Sequence, residues 1–349
     1  MPTISKRKLE GINRVADGRG VIRAAAMDQR GSLRKELAKH KGCHPSGITH
    51  AQMAEFKTAV TRALTPHASA ILLDPEFGLE AAKARSKNAG LLLAYELSGY
   101  DNNFPGRVPT LVPYWSVRQS IEAGADCIKI LMYYTHEEEA KINDIKKAWV
   151  ERIGAECALY EKAFFLECVT YDPKGGDEKG LDFARRKPAA VADYMKEFSK
   201  PQYYVDVLKV EIPVNMAYVE GAKANKTGQV AYSRAEAKNH YLRAAEGSRL
   251  PFIYLSAGVD DDVFRESLEL AGEAGANFAG VLCGRATWKE GMPIYAKQGI
   301  KALEDWLNDR AVKNIKALNQ VLERTAHPWF DKFGGKDKIQ SVDRTVSCC

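Results

Sequence analysis

The chain has 349 residues, of which 45% are hydrophobic and 28% are charged, and its formal net charge is +6. This composition is typical of a globular protein with a large core, and it excludes a disordered chain or a nucleic-acid-binding tail. No apolar run reaches the roughly eighteen residues of a membrane span, so we expect a cytoplasmic protein that binds anionic small molecules, not nucleic acid or membranes.

Eight short apolar runs recur along the chain, and helix-length segments separate them. Runs of this length, bounded by polar or turn residues, are typical of buried strands, and their alternation with amphipathic segments indicates repeated βα units. The predicted strands cover residues 21–27, 70–73, 90–95, 127–132, 163–167, 205–210, 252–256 and 278–283.

The intervening segments carry helical patterns, and the first predicted helix, 51–64, is opened by Thr49, with Gln52 three residues further on in the spacing of a capping box. Further helices are predicted at 117–123, 142–159, 188–198, 233–246, 261–274, 294–306 and 312–324. Eight βα units without a glycine-rich phosphate motif favour an α/β fold of the (β/α)8 TIM barrel type over an open doubly wound sheet. We expect one barrel domain over residues 1–349, with a loosely ordered tail at 332–349.

Lys209 interrupts the apolar run at 205–210, where a buried parallel strand favours Val, Ile and Leu. An amine that loses its water shell has a lowered pKa and can attack a ketone to form a Schiff base. The alternative is a lysine that extends its ammonium to solvent, which is the more common behaviour.

Catalytic groups in such barrels stand at the C-terminal ends of the strands, and Lys129 and Glu167 fall there together with Lys209. Lys129 as a second cation would disfavour charging of Lys209, and Glu167 is placed to act as a general acid or base. The alternative for Glu167 is an ion pair with one of the lysines. Other polar residues at strand ends are Asp28, Gln29, Arg30, Asp74, Glu76 and Glu96.

The loops after the runs at 252–256 and 278–283 lie where barrels often bind phosphate. Glycine lets backbone N–H groups approach an anion, and arginine adds a bidentate contact. The predicted anion-binding residues are Ser256, Gly258, Gly284 and Arg285. The seven histidines form no recognisable ligand set, so no metal and no other cofactor is expected.

Six segments in the same order resemble the class I tagatose 1,6-bisphosphate aldolase family, and the likeness extends from about residue 10 to about residue 330. The matching segments are 27–31, 73–78, 92–96, 207–211, 254–259 and 280–288. The resemblance implies a metal-independent lyase of carbohydrate metabolism that cleaves a ketohexose bisphosphate to dihydroxyacetone phosphate and glyceraldehyde 3-phosphate.

The resemblance also implies roles for individual residues. Lys209 matches the lysine that forms the Schiff base, Lys129 matches an active-site lysine, and Glu167 matches the proton-transfer group. The positions that match substrate-contacting residues are Asp28, Gln29, Ser256 and Arg285.

Two alternatives stay open on the sequence. The chain is also similar to a related branch that cleaves 6-deoxy-6-sulfofructose 1-phosphate to dihydroxyacetone phosphate and sulfolactaldehyde, and phosphate and sulfonate need overlapping sets of donors. A barrel that binds a sugar phosphate as a regulatory protein, without turnover, is the alternative from another class. A homo-oligomer is compatible with either.

Overall fold

The computed structural model describes residues 3–100 and 103–343, and its centre is a closed barrel of eight parallel strands. The strands are β1 (Thr3–Ser5), β2 (Ile22–Ala26), β3 (Ala70–Leu73), β4 (Gly90–Ala94), β5 (Cys127–Tyr133), β6 (Ala163–Val169), β7 (Val207–Val210), β8 (Phe252–Leu255), β9 (Gly280–Cys283) and β10 (Gln340–Val342). Strands β2 to β9 follow one another around the barrel, and β9 pairs with β2 to close it. This topology confirms the (β/α)8 prediction.

The helices form the outer layer of the barrel, and α3 begins with the capping box of Thr49 and Gln52 that its sequence predicts. The helices are α1 (Lys6–Val15), α2 (Gly31–Lys41), α3 (His50–Leu64), α4 (Leu79–Lys83), α5 (Val117–Glu122), α6 (Ala140–Leu159), α7 (Leu181–Phe198), α8 (Arg234–Gly247), α9 (Asp261–Glu273), α10 (Arg285–Trp288), α11 (Gly291–Trp306) and α12 (Val312–Thr325). In the described ranges, no helix is both long and apolar enough to span a bilayer.

Helix α7 begins at Leu181, whereas the helical pattern of the sequence predicts a start at Pro188. Proline inside a helix cannot donate to the carbonyl four residues earlier, which here belongs to Ala184. The Tyr232 hydroxyl donates to that carbonyl instead. A side chain from another βα loop therefore supplies the hydrogen bond that would otherwise be missing.

The two ends of the described chain pair with each other beside the N-terminal end of the barrel. Strand β1 runs parallel to β10, with Thr3 opposite Gln340. The sequence predicts a loosely ordered tail at 332–349, whereas the described part contains a short 3-10 turn, Lys336–Lys338, followed by β10. Residues 344–349, which include the tail cysteines, lie outside the described residues.

The register of the strands points two lysines into the barrel. Lys129 is the register partner of Phe165, and Lys209 is the register partner of Ile253. Phe165 and Ile253 both belong to the apolar cluster that fills the barrel interior. Because register partners in a sheet share a face, the two lysines share that interior, toward its C-terminal end.

Candidate active site

Five polar side chains meet at the C-terminal end of the barrel, and four of them are predicted site residues. Lys209 Nζ lies 2.8 Å from Glu167 Oε2, and Lys129 Nζ lies 2.9 Å from the same oxygen. Lys129 Nζ also lies 2.8 Å from Asp28 Oδ2 and 2.8 Å from Glu96 Oε1. The ion-pair interpretation of Glu167 is therefore correct, and it is compatible with a role in proton transfer.

Lys209 does not extend its ammonium to solvent, which was the alternative interpretation of this residue. Its side chain is only 5% exposed, and its Nζ donates a hydrogen bond to Glu167 across strands β6 and β7. Glu167 and Lys209 are register partners, so the backbone pairing itself brings the carboxylate to the amine. A lysine held in this way is desolvated but has a proton acceptor within reach.

Lys129 is a fixed cation. Its side chain is fully buried, and the three N–H donors of an ammonium face three carboxyl groups, those of Asp28, Glu96 and Glu167. Burial alone would lower the pKa of Lys129, but these carboxyl groups hold it well above its ordinary value. The second cation that the sequence predicts beside Lys209 thus has three acidic side chains around it.

Asp28 is kept ionised by the same cluster. Burial would raise the pKa of Asp28, but the charges of Lys129 and Lys209 hold it well below its ordinary value. Because Asp28 follows β2 while Lys129 lies on β5, this contact spans the mouth of the barrel. The site therefore contains a permanent anion beside a permanent cation.

The two predicted anion-binding turns face each other after β8 and β9. Gly258 has a positive φ of 79°, and a Cβ added there would lie 2.9 Å from Arg285 Cζ. Only glycine lets the guanidinium of Arg285 lie against this turn. Ser256 is buried at the start of the turn, beside Cys283.

Gln29 joins the same corner of the site. A Cβ added at Gly284 would lie 3.2 Å from Gln29 Nε2, so the small residue after β9 accommodates the amide that follows β2. A cavity of about 690 Å³ opens above this corner. The predicted residues that line it are Asp28, Gln29, Glu167, Lys209 and Arg285.

A second cationic part of the cavity wall comes from the start of α2, a helix that was not predicted. Gly31, Ser32 and Lys35 line the cavity, and no side chain caps the first N–H groups of the helix. Free N–H groups at a helix start attract anions, and the ammonium of Lys35 adds to this preference. Helix α2 buries only a narrow stripe of residues, namely Leu33, Leu37 and Ala38. Because so few positions are apolar and buried, the sequence of this segment has only a weak helical pattern.

The sequence pattern did not identify Lys57 as part of the site, although Lys57 contacts the backbone next to Asp28. Lys57 on α3 is fully buried, donates to Met27 O at 2.7 Å and forms an ion pair with Asp74. Met27 directly precedes Asp28, so Lys57 holds the strand end that carries this carboxylate. A signal existed, because Lys57 lies on the same helical face as Met53 and Val60, which are both buried.

A series of buried side-chain hydrogen bonds supports one side of the cavity. Lys146 Nζ on α6 donates to the Tyr171 hydroxyl at 2.9 Å, and this hydroxyl lies 2.5 Å from Glu138 Oε2. The Tyr171 ring lies edge-on to Tyr133, which lines the cavity. Burial lowers the pKa of Lys146 to about 8, although the charge of Glu138 opposes this shift.

The described ranges contain no group of three or more His, Cys, Asp or Glu side chains arranged to hold a metal. The carboxyl groups of Asp28, Glu96 and Glu167 do converge, but they surround the ammonium of Lys129. This ammonium occupies the point at which the three carboxyl groups meet.

Comparisons with known proteins identify the family of this chain. A model of the DeoC/LacD family aldolase matches residues 22–290. A tagatose 1,6-diphosphate aldolase of Listeria innocua is 46% identical over 344 residues, which cover 99% of this chain and 100% of the relative. Tagatose 1,6-diphosphate aldolase 2 of Enterococcus faecalis is 49% identical over 95% of this chain and 98% of its own length.

Solved structures of similar fold include an archaeal fructose 1,6-bisphosphate aldolase, with a TM-score of 0.54 and 14% identity over 89% of this chain and 97% of the other. A Schiff-base-forming fructose-1,6-bisphosphate aldolase gives a TM-score of 0.53 and 14% identity, with 89% and 98% of the two chains covered. These two likenesses show the fold, whereas the family rests on the full-length relatives and the family model. The chain belongs to the DeoC/LacD family of aldolases.

Proposed function

We propose that the protein is a class I aldolase that cleaves tagatose 1,6-bisphosphate to dihydroxyacetone phosphate and glyceraldehyde 3-phosphate. The observation that carries this proposal is the buried amine of Lys209, 2.8 Å from Glu167 and open to a cavity with an arginine on its wall. The relatives named as tagatose 1,6-diphosphate aldolases support the choice of substrate.

Formation of the Schiff base begins when Glu167 accepts a proton from the Lys209 ammonium. The freed lone pair attacks the C2 carbonyl carbon, and the carbinolamine hydroxyl leaves as water after Glu167 returns the proton. The product is an iminium between C2 and Lys209. Lys129 serves this step as a fixed cation beside Glu167, because its three N–H donors already face carboxyl groups and its lone pair is not available.

Carbon–carbon cleavage follows from the iminium. Glu167 removes the proton of the C4 hydroxyl, the C4 oxygen forms a carbonyl, and the C3–C4 bond breaks. Its electron pair forms the C2–C3 double bond of an enamine as the iminium nitrogen becomes neutral. Protonation at C3 and addition of water then release dihydroxyacetone phosphate from Lys209, while Asp28, held in place by Lys129, orients the substrate hydroxyls.

The cavity offers donors for two phosphate groups. The turn of Ser256 and Gly258 with Arg285 would bind the phosphate nearer to C2, which lies on the β7 to β9 side with Lys209. Ser32 and Lys35 at the start of α2 would bind the second phosphate. A bisphosphate placed in this way carries its C2 to C4 atoms past Lys209, Glu167 and Asp28.

Borohydride reduction tests the proposal directly. The protein is incubated with dihydroxyacetone phosphate and sodium borohydride, and the modified peptide is identified by mass spectrometry. We expect one adduct, on Lys209, and none in a Lys209→Met variant, which also loses cleavage activity. A Lys209→Met variant that retains cleavage, or an adduct on Lys129 in the unmodified protein, would refute the mechanism.

A further inference from the structure

Glu96 is the one acidic member of the cluster around Lys129 to which neither sequence nor resemblance assigns a role. It follows β4, its side chain is 7% exposed, and it lines the cavity. Oε1 accepts a hydrogen bond from Lys129 Nζ at 2.8 Å. Oε2 is covered from solvent and has no hydrogen-bond partner among the described residues.

This geometry is unfavourable for an ionised carboxylate. A buried anionic oxygen without a donor costs far more than a neutral carboxyl group, and such groups usually take up a proton instead. Around Glu96, Lys129 and the Arg30 guanidinium, 3.8 Å from Oε1, favour the anion, whereas Asp28 opposes it. Burial outweighs the two cations and raises the pKa of Glu96.

Three cations, those of Lys129, Lys209 and Arg30, meet three carboxyl groups, those of Asp28, Glu96 and Glu167. Asp28 is held ionised by the lysines, and Glu167 bridges both of them. Glu96 differs from these two because its Oε2 is buried and has no hydrogen-bond partner among the described residues, and this favours a proton on Glu96.

We propose that Glu96 is a positioning residue that carries a proton in the resting enzyme and, through Oε1, fixes the ammonium of Lys129 between Asp28 and Glu167. This inference rests on the proposed function, since Lys129 holds the carboxyl groups of Asp28 and Glu167 that act on the aldolase substrate. Neutral Glu96 supplies the third acceptor for Lys129 without adding another negative charge to the cluster. Glu96 thereby sets the position of Lys129.

Two substitutions of Glu96 test whether a neutral hydrogen-bond acceptor at this position is what the enzyme needs. Glu96→Gln keeps an oxygen acceptor and matches the neutral acid, whereas Glu96→Leu is similar in size but removes the acceptor. We expect Glu96→Gln to keep kcat within about threefold of the parent, with an unchanged pH profile. We expect Glu96→Leu to lower kcat by about 100-fold, with a much smaller change in KM, because misplacement of an orienting group by about 1 Å costs this much.

The outcomes are distinct. If Glu96→Gln loses activity as severely as Glu96→Leu, or shifts the pH profile, Glu96 acts as an anion and the proposal is wrong. If Glu96→Leu keeps full activity, the residue does not position Lys129. Should the leucine variant fail to fold, the pH profile of Glu96→Gln still decides, together with the loss of a protonated-carboxyl band in the infrared difference spectrum against the parent.

Borohydride labelling of the unmodified protein separates this inference from the proposed function. If dihydroxyacetone phosphate labels Lys209 but the Glu96 variants behave otherwise than expected, only the role of Glu96 is refuted. If no adduct forms on Lys209 in the unmodified protein, the aldolase mechanism itself is refuted.

Discussion

Glu167 and Lys209 are register partners on β6 and β7, and their side chains meet at 2.8 Å in the barrel interior. The same oxygen of Glu167 also lies 2.9 Å from Lys129. One carboxylate oxygen thus connects the proposed nucleophile to the fixed cation. The proposed chemistry depends on this arrangement.

The first prediction concerns Glu167→Gln. An amide cannot carry a proton between Lys209 and the substrate, so kcat should fall by about 10²- to 10⁴-fold, the usual contribution of a general acid or base. Lys209 is retained, so borohydride should still trap dihydroxyacetone phosphate on it, but more slowly. Steady-state kinetics and mass spectrometry measure the two effects. Glu80→Gln, in an exposed pair with Lys83, is the matched control; an undiminished kcat in Glu167→Gln would remove Glu167 from the mechanism.

The second prediction concerns Arg285→Met. Loss of a charged hydrogen-bond donor at the phosphate costs about 1.5–3 kcal/mol, which corresponds to a rise in KM of about 10- to 100-fold. Trapping of dihydroxyacetone, which lacks the phosphate, should change little. The concentration dependence of borohydride inactivation with each ketone measures the difference. Arg324→Met, at an exposed ion pair, serves as control, and an equal loss with both ketones would argue against a phosphate contact.

The third prediction concerns the buried pair of Lys57 and Asp74. Lys57→Met leaves Asp74 as an unpaired buried charge, which should lower the free energy of unfolding by about 3–5 kcal/mol. Asp74 also accepts backbone N–H groups from Glu76 and Phe77, so a second change, Asp74→Asn, should restore part of this loss by removing the charge while keeping an acceptor. Urea denaturation of the single and double variants measures both effects. A double variant less stable than Lys57→Met would contradict this account.

The fourth prediction concerns Lys146 and pH. Burial lowers the pKa of Lys146 to about 8 in the folded protein, from an ordinary value of 10.5. At pH values between these two pKa values, the unfolded chain binds more protons than the folded protein. The contribution of Lys146 to the free energy of unfolding therefore rises with pH, by up to about 1.4 kcal/mol per pH unit. Below pH 8 both states are charged and the contribution is flat.

The comparison with Lys146→Met isolates the contribution of Lys146 to the pH dependence of stability, because the other groups that titrate in the same range are common to both proteins. The free energy of unfolding of the parent, minus that of the variant, should increase from pH 8 to pH 10.5. A difference that is constant over this window would mean that Lys146 titrates normally in the fold.

Much of the fold could be predicted because the barrel strands are short apolar runs that contain at most one charged residue each. Lys129, Glu167 and Lys209 were visible for this reason, since a charge within or directly after such a run has few structural explanations. Their mutual contacts follow from strand register, which the sequence does not state directly. That Lys129 faces three carboxyl groups, including Glu96, required the structure.

The features that the sequence did not predict were hidden for physical reasons. Lys57 is a charged residue in a helix, and such residues are usually solvated, so its buried partner Asp74 on a different element could not be inferred from local pattern. The early start of α7 depends on the Tyr232 hydroxyl, which is distant in sequence from the Ala184 carbonyl that it satisfies. Strands β1 and β10 are three residues each and pair only with each other, so neither has a recognisable apolar pattern.

The pairing of Glu167 with Lys209 has a consequence for protein engineering. Both residues belong to the strand ladder, with Glu167 on β6 and Lys209 on β7, while the loops that shape the cavity entrance lie beyond them. Exchange of these loops for those of other barrels would leave the ladder in place, and the contacts of Lys129 would be kept as long as Asp28 and Glu96 are retained. The cavity entrance can therefore be redesigned separately from the pair of Glu167 and Lys209.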